Sequence, residues 1–426
     1  MFSLLPWVIV SLCATRGNGG DVTPHLFQGQ SYALAAFGDF NADKFTDLFV
    51  LSDDGKTVEI LYAVPDDEIN MFKRSGVKCS YEFQITSVVP GDFNGDFHLD
   101  LLITKVQEGM LSHAYILWGD KKDLNCSLYG PIVLHDEPLV MDYNGDMIPD
   151  LFSQSPDGNR TFWVFSEHMN FTNQTLPGGS DLPNLRFPSS HAFVDLNADT
   201  YPDLFVTSGS DKEWQFEEYH SVNGVFEHQT PYEPPSSLVH VGQSAFGDVG
   251  RNGTINHLLP ACLDEHCRQS TVFLYYNDIW HDLKLNCTRG TEQWGFAYRP
   301  GRSYIDTITI RLGDYSLDGH VDFLATLENK DNPGITKVVL FEHVQCESCF
   351  LKASFVPQWD ELDRYEGAVM GTFFDLNENG RLDIILVKQL PPDTQNFSLV
   401  LHQNEVKTKY FLKASVGSGI CNRRSS

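Results

Sequence analysis

Basic residues are scarce and scattered in this chain of 426 residues. Lys and Arg number 30 against 57 Asp and Glu, the net charge is −27, and no Lys/Arg run exceeds two residues. A surface of that sign repels polyphosphate and anionic lipid, so nucleic-acid and membrane-surface roles are excluded unless a local basic patch supplies them. Beyond the first residues, no stretch approaches the roughly 18 apolar residues of a membrane span. Sustained helical periodicity is missing as well. So are the Gly-x-Ser-x-Gly and His-Glu-x-x-His motifs of hydrolases. Gly at 33 and Pro at 21 are too few for collagen-like or low-complexity architectures.

What the chain does have is β-forming bulk. Its 42% hydrophobic content includes 30 Phe, 16 Tyr and 7 Trp, enough for a large core of strands. The run from Met1 to Cys13 reads as a secretory leader ending near residue 20, with a buried first strand as the alternative. Without Cys13, eight cysteines remain, an even number: Cys79, Cys126, Cys262, Cys267, Cys287, Cys346, Cys349 and Cys421. Seven Asn-x-Ser/Thr sequons stand at Asn125, Asn159, Asn170, Asn173, Asn252, Asn286 and Asn396. Together they point to an oxidising, glycosylating compartment. No further His or Cys cluster completes a zinc site, so Cys262–Cys267 and Cys346–Cys349 are expected as local disulfides; the other pairings stay open.

One nonapeptide recurs seven times, and its copies span nearly the whole chain after the leader. Loop one carries Asp39, Asn41, Asp43, Phe45 and Asp47; loop two Asp92, Asn94, Asp96 and Asp100; loop three Asp142, Asn144, Asp146 and Asp150; loop four Asp195, Asn197, Asp199 and Asp203. Loop five, from Asp248 to Asn256, is degraded. Loop six carries Asp314, Ser316, Asp318 and Asp322, and loop seven Asp375, Asn377, Asn379 and Asp383. Successive starts lie 53, 50, 53, 53, 66 and 61 residues apart, the signature of one repetitive domain.

Each loop stands between two short apolar runs, such as Ala35–Gly38 and Leu48–Leu51, which places it at a hairpin tip. A third strand follows (Val58–Tyr62, Val338–Phe341, Leu399–Leu401). A fourth shows in the identical strings Phe350–Ser354 and Phe411–Ser415, both beginning 36 residues after their own loop. Four strands in each of seven units predict an all-β, seven-bladed β-propeller over residues 21–418, with a short tail at 419–426. An open solenoid is the alternative. Val22–Phe27 is a candidate edge strand for the last blade.

Oxygen side chains at positions one, three, five and nine, with a main-chain oxygen at seven (Phe45 in loop one), are what Ca²⁺ needs from a tight turn. Mg²⁺ demands stricter geometry, and no His or Cys serves zinc or copper at the ligand positions. An EF-hand fails because position twelve is Val50, Ile103 or Leu386, inside a strand. Bare Asx turns are the alternative. Against them, 18 aspartates crowd seven tips, and clustered carboxylates repel unless a cation offsets them. Loop seven should bind more weakly. Loop five should be empty, with the Asn252 sequon on its fifth position.

Ala36-Phe37-Gly38-Asp39-Phe40 and Ala245-Phe246-Gly247-Asp248 resemble the FG-GAP repeats of integrin α-subunit propellers. The framing strings Leu34–Asp39, Asp47–Leu51, Ile85–Asp92, Ser190–Phe193 and Val241–Phe246 resemble the T-cell immunomodulatory protein (linkin) family over about residues 30–421. The resemblance implies a non-enzymatic extracellular propeller glycoprotein that binds Ca²⁺ and engages extracellular or cell-surface proteins in adhesion, tissue cohesion or T-cell modulation. It further implies a type I membrane protein with one C-terminal span. This chain shows no such span before Ser426 and reads, as it stands, as secreted; loop five also departs from the family's calcium loops. A lectin-like or hydrolytic propeller is the alternative, and an integrin-like receptor head would need a partner subunit. His113, His191, His240 and His343 fall in strand-like segments and read as core or edge residues.

Overall fold

The computed structural model describes residues 20–405 apart from 65–66, 68–69, 107–110, 168, 179–181, 187–188, 211–212, 300–305 and 390–395. The leader, the tail, Cys421 and the expected strand Phe411–Ser415 lie outside the described residues. The architecture is all-β, with antiparallel sheets around a propeller and no α-helix among the described residues.

The sheet of loop one sets the pattern. Tyr32–Gly38, Asp47–Ser52, Thr57–Ala63 and Phe72–Ser80 lie side by side, each antiparallel to the next. Loop one joins the first pair, and position nine, Asp47, is the first residue of the second strand. The other repeats keep this phase: second strands open at Asp100, Asp150, Asp203, Asn256, Asp322 and Asp383. Loops two and three share one seven-stranded sheet, because Tyr129–Met141 serves both. Its first half pairs with Leu111–Leu117 and its second half with Asp150–Gln154, across a register shift between His135 and Leu139.

The second strands carry consecutive apolar residues at their centres because both of their faces are buried, and the period of two divides them between neighbours. Phe49 and Ile60 of the first sheet meet Leu101 and Ile103. Leu102 and Ile116 turn the other way, onto Leu151 and Trp163. Phe152 and Phe162 meet Leu204 and Val206, while Phe205 and Phe216 meet Leu259 and Phe273. Leu258 and Leu274 pack on Phe323 and Phe341, and Leu324 and Leu340 on Ile384 and Leu386. Ile385 and Leu399 then return to Leu34 and Val50, so the succession of cores closes on itself. Each such side chain contributes about 1.5–3 kcal/mol when fully buried.

The N-terminus completes the last sheet. Gly20–Asp21 pairs with Phe397–Gln403, the Val22 N–H donates to the Leu401 carbonyl at 3.0 Å, and the Leu401 N–H donates to Thr23 Oγ1 at 3.0 Å. The edge strand anticipated at Val22–Phe27 lies instead just before it, at Gly20–Asp21, with only Val22 continuing the pairing; His25–Phe27 is a 3-10 turn. The fourth strand anticipated from Phe350 begins at Ala353 instead. Phe350–Lys352 is also a 3-10 turn, because Leu351 and Lys352 hold left-handed backbone (φ 49° and 54°) after the Cys346–Cys349 disulfide, and left-handed residues cannot extend a strand.

Both local disulfides form as expected, and Cys79 pairs with Cys126, tying the outer strand of the first sheet to the second repeat. Among the described residues Cys287 has no disulfide partner; it is buried, and burial pushes its thiol up to about 12.

One polar contact bridges the third and fourth repeats inside this apolar frame. Arg160 donates to both Glu217 oxygens (2.9 and 2.8 Å) and to the Tyr219 hydroxyl, with both charged side chains 1% exposed. Burial alone would raise the Glu217 carboxyl. Arg160, with the Ser208 and Tyr219 hydroxyls, outweighs burial and brings it from 4.5 down to about 2. A carboxylate with a lowered folded pKa stabilises above its unfolded pKa and loses that contribution as pH falls from about 4.5 to about 2. Replacing Arg160 by Met is expected to cost about 3–5 kcal/mol at pH 7, since Glu217 stays buried without its partner. The deficit relative to wild type should shrink on acidification through that window, as Glu217 protonates. Urea denaturation of both proteins between pH 7 and pH 2 measures it.

Candidate metal centres

The seven loops share one backbone. Positions four and six are left-handed in every copy: Ala42 and Lys44, Gly95 and Phe97, Gly145 and Met147, Ala198 and Thr200, Arg251 and Gly253, Leu317 and Gly319, Glu378 and Gly380. Degraded loop five keeps that shape although its side chains have changed.

Position one wraps its carboxylate around the loop's own amides. Asp39 accepts from the Asp43 and Lys44 N–H groups at 3.0 and 2.8 Å, and Asp92 from Asp96 and Phe97 at 3.0 and 2.7 Å. Asp142, Asp195, Asp248, Asp314 and Asp375 each accept two amides of their own loop in the same way. Position three accepts the position-five amide in the first four loops, from Asn41, Asn94, Asn144 and Asn197. Position five (Asp43, Asp96, Asp146, Asp199) is exposed in those loops and accepts the amide two residues on.

Position nine behaves differently and lies away from the tip. Asp47, Asp100, Asp150, Asp203, Asp322 and Asp383 are all 0% exposed. One oxygen accepts an amide near the start of the loop: Phe40, Phe93, Tyr143, Leu196 and Leu376 at position two, and Ser316 at position three in loop six. The other accepts an amide at the end of the third strand: Ala63, Gly119, Phe165, Ser221, His343 or Asn404, at 2.7–2.9 Å. Gly119 permits this approach, since a Cβ there would lie 2.0 Å from the Leu99 carbonyl oxygen. Position nine is therefore a staple between loop and sheet. In loop five the staple is Asn256, whose single acceptor oxygen takes only the Val249 amide, at 3.1 Å.

Burial raises the Asp47, Asp100 and Asp150 carboxyls more than their two backbone hydrogen bonds lower them, and the acids at positions one and five of those loops push the same way. Asp47 and Asp150 reach about 6 and Asp100 about 7. Among the described residues no group of three or more Asp, Glu, His or Cys side chains is gathered tightly enough to hold a metal ion. The donor set nonetheless suits a hard cation. It is all oxygen, its negative charges crowd one another in loops one to three, and buried Ser316 Oγ at position three of loop six has no hydrogen-bond partner.

Six of the sequon asparagines are exposed, and Asn159 is half-buried. Three of the four strand-like histidines lie in strands (His113, His240, His343), and His191 precedes Ala192–Val194. The His191 ring packs on Phe152, and burial pushes it down to about 3.

Residues 142–206 match the model of an FG-GAP-like repeat. The human T-cell immunomodulatory protein is 33% identical over 426 residues, covering 94% of this chain and 68% of that protein. Protein linkin of Caenorhabditis elegans is 24% identical over 429 residues, covering 92% of this chain and 68% of its own length. A solved chain from the crystal structure of BBS1N in complex with ARL6DN, soaked with lead, superimposes with a TM-score of 0.43 at 11% identity, over 89% of this chain and 94% of that one.

The two kinds of aspartate should separate by mutation. Asp100→Asn loses one charge-assisted acceptor and is expected to destabilise the protein by about 1.5–3 kcal/mol with or without calcium. Asp96→Asn, at an exposed tip, should cost under about 0.5 kcal/mol without calcium and show its effect only when calcium is added. Denaturant titrations with chelator and with calcium measure both.

Proposed function

The chain belongs to the T-cell immunomodulatory protein family, and from that premise we propose that it is a non-enzymatic, extracellular, calcium-stabilised glycoprotein. Its seven-bladed propeller engages proteins in cell adhesion or T-cell modulation. The human relative is named for T-cell immunomodulation. The closed succession of cores supports the seven-blade count, over residues 21–418. Three disulfides support passage through an oxidising compartment, as the leader and sequons do.

The observation that carries the reading is repetition. A catalytic centre is one constellation in one place, whereas here the same carboxylates recur at the same point of every repeat. Positions one, three and five of loops one to four and six would hold calcium with the position-nine carboxylate behind them, and loop seven would hold it more weakly. Calcium there supplies positive charge to offset clustered carboxylates and performs no reaction. Loop five, with Asn256 as its staple and a sequon at Asn252, would carry a glycan in place of the metal.

A ligand that binds only the folded state stabilises it by RT ln(1 + [L]/Kd), about 1 kcal/mol per site at millimolar calcium for the Kd range of extracellular modules. Calcium added to chelated protein is expected to raise the melting temperature, and a loop-five substitution, Asp248→Asn, should leave that rise intact. An unchanged melting temperature across the titration would overturn the calcium assignment. Substrate turnover abolished by one substitution outside the loops would overturn the non-enzymatic one.

A further inference from the structure

In an antiparallel four-stranded unit, the hairpin joining strands one and two and the hairpin joining strands three and four emerge at the same end of the sheet. The acidic loops therefore share their face of the propeller with the last hairpin of each unit. Two contacts show this across neighbours. A Cβ on Gly95 in loop two would lie 3.5 Å from Glu167 Cγ, beside the last hairpin of the third unit. The rings of Tyr143 in loop three and Phe226 in the fourth unit stand 5.9 Å apart.

Large apolar side chains left in solvent concentrate on this face. Phe97, Met147 and Tyr201, at the tips of the consecutive loops two, three and four, are 59%, 53% and 63% exposed. Val222, Val225 and Ile279, in the last hairpins of units four and five, are exposed beside them. Phe97 and Met147 also hold left-handed backbone, where loops five, six and seven place glycine. Each apolar tip sits in a loop of three aspartates, which stays net negative even with one divalent calcium ion bound. Lys44, Arg251 and Arg381 place cations in loops one, five and seven, and Lys121 and Lys122 in the last hairpin of unit two, whereas loops two to four and the turns of the last hairpins of units three to five contain no Lys or Arg.

We infer that this sector is a docking surface for a basic polypeptide carrying apolar side chains. Charge complementarity selects that occupant. A second copy at net charge −27 and an anionic membrane are both repelled, while a surface of interleaved Lys or Arg and aliphatic residues meets acid with base and apolar with apolar. The sequon Asn170 follows Met169 at one margin and the sequon Asn252 stands in loop five at the other, so glycans would border the sector. The inference deepens the interaction reading above by naming the face and the chemistry of the partner.

The test uses the chain produced through a secretory pathway, in calcium, with a fluorescent peptide of alternating Lys and Leu as probe and a Glu/Leu peptide as control. The wild type should bind the Lys/Leu peptide alone. The triple substitution Phe97→Ser, Met147→Ser, Tyr201→Ser should weaken binding about tenfold or more. Val106→Ser with Val239→Ser, at the opposite face, should not change it, and thermal melting confirms that both variants fold. Binding should fall as ionic strength rises from about 0.1 M to about 1 M. No binding by the wild type, or equal binding by the triple variant, overturns the inference. So does self-association, or capture by phosphatidylserine vesicles, that the same three substitutions abolish. Cell-surface binding is the separate readout. Equal binding to cells by wild type and triple variant overturns the face and leaves the interaction reading standing. Wild type that binds peptide but no cell overturns the interaction reading and leaves the face standing.

Discussion

A carboxylate with no access to water, shared between a hairpin and the strand beyond it, is the contact on which this architecture depends. Each of six repeats buries one aspartate whose two oxygens satisfy amides from two elements, so loop and sheet cannot move independently. The arrangement is costly, because burial works against the charge. Its return is geometric: the tip is held in one shape whatever its side chains are. Loop five marks the limit of that role: with Asn256 accepting a single amide it still keeps the left-handed pair at Arg251 and Gly253, so there the loop's own amide bonds to Asp248 hold the tip.

Much of the fold was legible in the sequence, because a repeat states its period openly. The nonapeptide, the apolar runs beside it and the third strands all lie where spacing placed them. Position nine was legible as an acid but not in its structural role. Seen as side-chain oxygens on a turn, Asp47 looks like one more ligand; only the third strand's return, sixteen residues on at Ala63, shows what it staples. The start of the fourth strand was misjudged at Phe350 because a short disulfide loop holds its first residues out of the extended region.

Long-range pairings were the least legible. Arg160 and Glu217 carry no local signal, being 57 residues apart in chemically ordinary strands. Cys79 and Cys126 could have paired otherwise with the cysteines left over. Tyr129–Met141 gives no sequence sign that it serves two repeats; that role follows from the register shift at its middle. Membership of the family accounts for the repeat and its order, whereas the polar bridge between the third and fourth repeats follows only from the packed structure.

The meeting of Thr23 with Leu401 spans 378 positions of sequence. A ribosome adding about 5–20 residues each second needs roughly 20–80 s to cross that interval. During it residues 20–23 have no mate, while the intermediate sheets can already assemble. Closure is therefore ordered in time: the last sheet is completed only after Phe397–Gln403 have been made.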